Sequence, residues 1–248
     1  MSKILDNFKK MDLLTKIASI AFLAAFIVIV CSTFIGYIGD IFFSGIFKLM
    51  FANVYNFFAI TAYFITSVLK MLFIAALVIA IFSGSKKNVG FVLACKAALM
   101  LLDMTILTPF LRVFRVIGYG FTVGGVVGWS EIGNGFLSFL NMLAIASLAI
   151  LVMDGFEELT KIVGIITAGV FGISLIANCV RLVSSLVDCV KFFIAGNVRN
   201  GILTLLINSG DYCGAIILVC GYIVLCLAAV FAFKGPIIPK KATAQVQQ

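Results

Sequence analysis

Three charges stand where an apolar sequence tolerates them least. Lys70, Lys96 and Asp103 each fall inside a long apolar run, and a charge within a bilayer is costly enough to mark function by default. Lys96 and Asp103 are seven residues apart, two turns along one helix face. That spacing is too long for direct contact, so each lines a polar path or meets a partner on another helix. The chemistry on offer is the passage of a solute or an ion. The plainer alternatives are an ion pair between helices and a lysine snorkelling to the interface. A second pattern is Gly120, Gly124 and Gly128, a glycine at every fourth position. It suits the close approach of two helix backbones in lipid, and hence self-association, or else a flexible glycine-rich loop.

Enzymatic chemistry finds little to work with. The chain has no histidine, which removes the commonest general base and metal ligand. Asp154, Glu157 and Glu158 form a small acidic group, but they stand beside Lys161 and suit a charged loop that fixes topology. There is no G-x-x-x-x-G-K-[ST] phosphate loop and no dinucleotide fingerprint. The seven cysteines are Cys31, Cys95, Cys179, Cys189, Cys213, Cys220 and Cys226. They make no C-x-x-C pair or zinc-type cluster and read as small apolar side chains. The expectation is a non-enzyme with no catalytic residue, no metal and no cofactor.

Composition sets the environment. Of 248 residues, 63% are apolar and 11% charged, whereas soluble domains average about half and a quarter. The mean hydropathy is +1.24. Apolar runs recur at the length of about 20 residues that a spanning helix needs. The predicted fold class is therefore all-α, a polytopic helical membrane bundle. The net charge of +8 is spread along the membrane flanks. It suits acidic lipid head groups rather than nucleic acid.

Six spans are predicted, at about Ile17–Ile38, within 54–82, Val89–Leu107, Phe136–Met153, Ile162–Val180 and Ala215–Phe233. The second is a tilted helix or one broken around Lys70. Thr108-Pro109 ends the third, and Arg181 closes the fifth. Ser83 to Asn88 reads as a polar loop. Amphipathic interfacial helices are expected at 41–52 and 181–200. Residues 1–16 form a basic leader in which Ile4, Phe8 and Met11 share a helix face; it lies on an anionic membrane surface or simply flanks the first span. It carries no cleavable-signal pattern and runs on into a retained first helix. The membrane domain then covers 17–235, and 236–248 is a polar tail.

Six spans place both termini on one side. Lys3, Lys9, Lys10, Lys16, Lys86, Lys87, Lys161, Lys234, Lys240 and Lys241 share it, against Lys48, Arg112, Arg115, Arg181, Lys191 and Arg199. Ten basic residues against six point to cytosolic termini. If the segments around 112 and 191 are also cytosolic, the count falls to four spans. Leu14-Thr15-Lys16-Ile17 recurs as Leu159-Thr160-Lys161-Ile162, and Asn53-Val54-Tyr55-Asn56 as Asn197-Val198-Arg199-Asn200. The recurrence suggests a parallel repeat of 12–87 and 157–235.

The second half also carries a motif series. Leu111-Arg112-Val113-Phe114-Arg115 precedes a spacer and the apolar helix Phe136 to Met153. Asp154, Lys161 and Gly164 follow, then Asp211 ahead of a last apolar helix containing Gly221. In this order, 108–235 resembles the peroxin-eleven family of peroxisomal membrane elongation proteins. The resemblance implies a peroxisomal membrane protein that elongates and divides the organelle and associates with itself. The leader and 181–200 would then wedge into one leaflet, and the glycine pattern would cluster copies. Membrane shaping is thus the leading expectation. A small-solute transporter or channel built on Lys70, Lys96 and Asp103 is the alternative, and a structural subunit of a membrane complex the third.

Overall fold

A computed structural model describes residues 7–39, 46–119, 129–154 and 159–231. The described residues are helical almost throughout, with no strand among them. The helices are α1 (Leu13–Gly39), α2 (Ile46–Met50), α3 (Val54–Ser83), α4 (Lys86–Leu102), α5 (Thr108–Tyr119), α6 (Trp129–Val152), α7 (Thr160–Ile194), α8 (Val198–Leu203) and α9 (Gly210–Phe231). Two π-turns, Asp103–Leu107 and Thr204–Ser209, join α4 to α5 and α8 to α9 without a break. Six helical segments are thereby long and apolar enough to cross a membrane. The chain is an all-α helical bundle whose six long apolar segments fit a multi-pass membrane protein.

Local chemistry accounts for the helix starts. The Asp12 carboxylate accepts from the Thr15 N–H at 3.0 Å at the head of α1. Asn53 accepts from the Asn56 N–H at 2.7 Å, Ser85 from Asn88 at 3.3 Å, and Asn197 from Asn200 at 3.3 Å. Each satisfies a donor that a helix start leaves open. Gly84, at φ 72°, closes α3 in the left-handed conformation that a glycine adopts most easily. The polar loop expected over 83–88 therefore shrinks to Gly84-Ser85, because Lys86 already begins α4.

Several boundaries differ from the sequence expectation. α3 runs unbroken through Lys70. Thr108-Pro109 does not end the third span. Pro109 lacks an N–H, but the π-turn before it lets Thr108 donate to the Asp103 carbonyl, and the helix continues to Tyr119. Arg181 does not close the fifth span either: α7 is 35 residues long. At 1.5 Å per residue that is about 50 Å, well beyond the roughly 30 Å of a hydrocarbon core. The stretch 181–194 is thus the mixed, amphipathic end of one long helix, not a separate interfacial one. Within 41–52 the described helix is α2 alone. The leader also differs. Phe8 packs on Phe82 with ring centroids 6.0 Å apart, Met11 is buried, and Asn7 Nδ2 donates to the Phe82 carbonyl at 3.1 Å. Its described apolar face is turned into the protein.

The spanning segments form a closed ring, each packed on the next, with α9 returning to α1. The α1–α9 seam is the most extensive. Gly210, Gly214 and Gly221 of α9 lie against Ser32, Ile29 and Phe22 of α1. A Cβ on Gly214 would come within 2.5 Å of Ile29 Cγ1. This is the close glycine packing that helices use in lipid. Gly120, Gly124 and Gly128, proposed for that role, lie outside the described residues. Around the ring, large apolar side chains such as Ile20, Phe34, Ile79, Phe91, Ile165 and Ile176 face outward, as a lipid-contacting surface requires.

Candidate functional site

The outer faces of α3 and α4 enclose a groove of about 670 Å³. From α3, Phe58, Thr61, Ile65, Thr66, Leu69, Lys70 and Phe73 recur at the helical period on one side. Lys96, Met100, Asp103, Ile106, Leu107 and Phe110 do the same along α4, the π-turn and α5. The structure thus brings all three intramembrane charges, Lys70, Lys96 and Asp103, to one place. The π-turn starts at Asp103 itself. By spreading one turn it carries Ile106 to Phe110 onto the groove side, a placement typical of π-turns at functional positions.

Depth and partners define the site's character. Lys70 lies midway along the 30-residue α3, and Asp103 midway along the segment Lys86–Tyr119. Both therefore sit near mid-length of helical segments long and apolar enough to cross a membrane. The Lys96 ammonium stands 5.0 Å from the centroid of the Phe73 ring, close enough for a cation–π attraction. It also feels the charges of Lys70 and Asp103. The side-chain ion pairs of the described residues, Lys86–Asp154, Arg112–Glu131, Arg115–Glu131 and Lys191–Asp188, leave these three out. Thr61, which also lines the groove, has a buried hydroxyl with no hydrogen-bond partner among the described residues. Ile65, Leu102 and Ile106 form an exposed outer lip, so the groove opens sideways toward lipid. It offers an apolar bed with charges at its middle.

A second, polar feature escaped the sequence reading. Asn134, Ser138 and Asn141 of α6, Ser174, Asn178 and Arg181 of α7, and Tyr212 of α9 line a cleft of about 370 Å³. It adjoins a smaller one, about 210 Å³, that shares Arg181 and Tyr212 and adds Ser185, Asp188, Thr204 and Asn208. Arg181 Nη2 donates to Asn134 Oδ1. Asn178 is buried, with its Nδ2 donating to the Ser174 carbonyl at 2.9 Å, and the Ser185 and Ser209 hydroxyls meet at 3.2 Å. Asn141 Oδ1 is buried without a partner. The signal was present in the sequence: 134, 138, 141 and 174, 178, 181, 185, 188 are polar positions at helical spacing. Ending the fifth span at Arg181 hid the second series.

The residues of the motif series are placed as follows. Asp154, left-handed at φ 61°, follows α6 and pairs with Lys86 at 2.7 Å; Glu157 and Glu158 lie outside the described residues. Arg112 and Arg115 both reach Glu131, at 3.3 and 3.0 Å, holding α5 to the start of α6. Asp211 accepts from the Ser32 hydroxyl at 2.6 Å across the α1–α9 seam, and Gly221 lies under Phe22. No family model, curated protein or solved structure matches the chain.

Proposed function

We propose that the protein is a small-solute transporter or channel whose path includes the groove between α3 and α4–α5. The observation that carries this reading is the convergence of Lys70, Lys96 and Asp103 on one groove between candidate membrane-spanning helices. Isolated charges inside a membrane are expensive, and none of the three forms an ion pair among the described residues. A translocated solute supplies the missing partner. Two lysines against one aspartate favour an anionic end, and the phenylalanine and leucine lining favours an apolar body. The solute class is thus a small amphipathic anion.

The test is flux into proteoliposomes, with a panel of labelled aromatic and aliphatic organic anions against matched cations. Uptake of an anion that falls about tenfold or more in Lys96→Met and Asp103→Asn, with thermal stability retained, supports the reading. Equal flux in the wild type and both variants removes it.

Membrane shaping in the peroxisome, with cytosolic termini, self-association and contact with acidic lipids, is the rival proposal. It rests on the motif series. Its two wedges have other employment here: Phe8 and Met11 pack inward, and 181–194 continues α7. Peroxisomal residence of a tagged copy, together with elongated organelles on over-expression, would favour it.

A further inference from the structure

The cleft between α6, α7 and α9 shares no lining residue with the Lys70 groove and has a different chemistry. Seven of its eight lining residues are polar, Leu137 being the exception. Arg181 is its one charged group. Asp188, which lines the adjoining cleft with Arg181, pairs with Lys191 at 3.0 Å. Arg181 is half-buried, and its protein partner is the neutral Asn134 oxygen. A guanidinium carries five donors in a planar fork that matches a carboxylate. A partly buried arginine that forms no ion pair among the described residues can take an anion.

We propose that this cleft binds a small polyhydroxylated monocarboxylate, of the sugar-acid class. One positive charge matches one negative charge; a phosphate dianion would leave a net negative charge in the cleft. Amide and hydroxyl side chains surround the arginine at Asn134, Ser138, Asn141, Asn178 and Tyr212, and these suit a ligand rich in hydroxyls. Asn141, whose Oδ1 is buried without a hydrogen-bond partner among the described residues, lines the same cleft. The volume of about 370 Å³ lies at the small end of the range for ligand pockets. The site stands independently of the Lys70 groove, and its test reads binding, not flux.

The full chain, purified in lipid nanodiscs, is titrated calorimetrically at matched ionic strength with gluconate, hexanoate, glucose and inorganic phosphate. Gluconate keeps the carboxylate and the hydroxyls, hexanoate the carboxylate alone, and glucose the hydroxyls alone. The expected result is saturable binding of gluconate, about tenfold or more weaker in Arg181→Gln. In Asn141→Ala the preference for gluconate over hexanoate should shrink while some anion binding persists. Arg181→Lys retains the charge and should bind with intermediate affinity, which separates loss of the site from loss of the fold. Three outcomes overturn the proposal: equal binding of gluconate by the wild type and Arg181→Gln, tighter binding of phosphate or hexanoate than of gluconate, or no saturable gluconate binding in the wild type.

Discussion

Tyr222 shows how a single buried atom leaves a measurable trace. Its ring stacks on Phe171 at 5.1 Å and meets Phe22 edge-on at 5.3 Å, so the side chain is well packed. Its hydroxyl is buried with no hydrogen-bond partner. An unsatisfied buried polar group costs about 1–3 kcal/mol. Tyr222→Phe removes that cost and keeps the ring, so the variant should be more stable than the wild type by about 1 kcal/mol. Thermal unfolding in detergent reads the difference, and a loss of stability would mean the hydroxyl has a partner in the membrane. Lys96 presents the opposite case. Its ammonium stands 5.0 Å from the centroid of the Phe73 ring, whose face attracts a cation.

Helices α1 and α9 are held by shape. Gly214→Val places a branched side chain where Ile29 already sits. Overpacking of this kind costs about 1–3 kcal/mol. Gly169, in α7, has open space where its Cβ would be; Gly169→Ala should be neutral or stabilising by up to about 1 kcal/mol, from helix propensity. Measuring both variants side by side separates seam packing from a general effect of glycine replacement. The caps form another pair. Asn53 and Asn197 make the same bond to the N–H three residues on, and each Asn→Ala change should cost about 1 kcal/mol. Helix capping alone is a sufficient physical reason for Asn-Val-x-Asn to recur.

Six crossings make a claim about sidedness that labelling can read. Lys9 and Lys87 belong to one end of the bundle, Lys48 and Arg199 to the other, and all four are exposed. Single cysteines introduced as Lys9→Cys and Lys87→Cys, in a background with the native cysteines replaced, should react with an impermeant maleimide from one side of sealed vesicles. Lys48→Cys and Arg199→Cys should react only from the other. A four-span chain would mix the two sets. The ring closure of α9 on α1 ties the two ends of the membrane domain together. Cutting the α3–α4 turn should therefore leave the two fragments associated.

The membrane class and the number of spans were legible from the residues, because lipid demands long apolar helices and leaves no other way to satisfy the backbone. The intramembrane charges were legible too, since Lys70, Lys96 and Asp103 stand out against apolar neighbours. Their meeting was not. It depends on α3 and α4 packing as a hairpin about Gly84-Ser85, which no spacing within either helix states. Pro109 and Arg181 misled in the same way. Each is a local breaking signal, overridden by a π-turn in one case and by the polar faces of α6 and α9 in the other. The polar series on α6 and α7 was written in the sequence as period, but became a cleft only when three helices turned those faces toward one another. Period along a helix is local chemistry; which faces converge is decided by the packing of the ring.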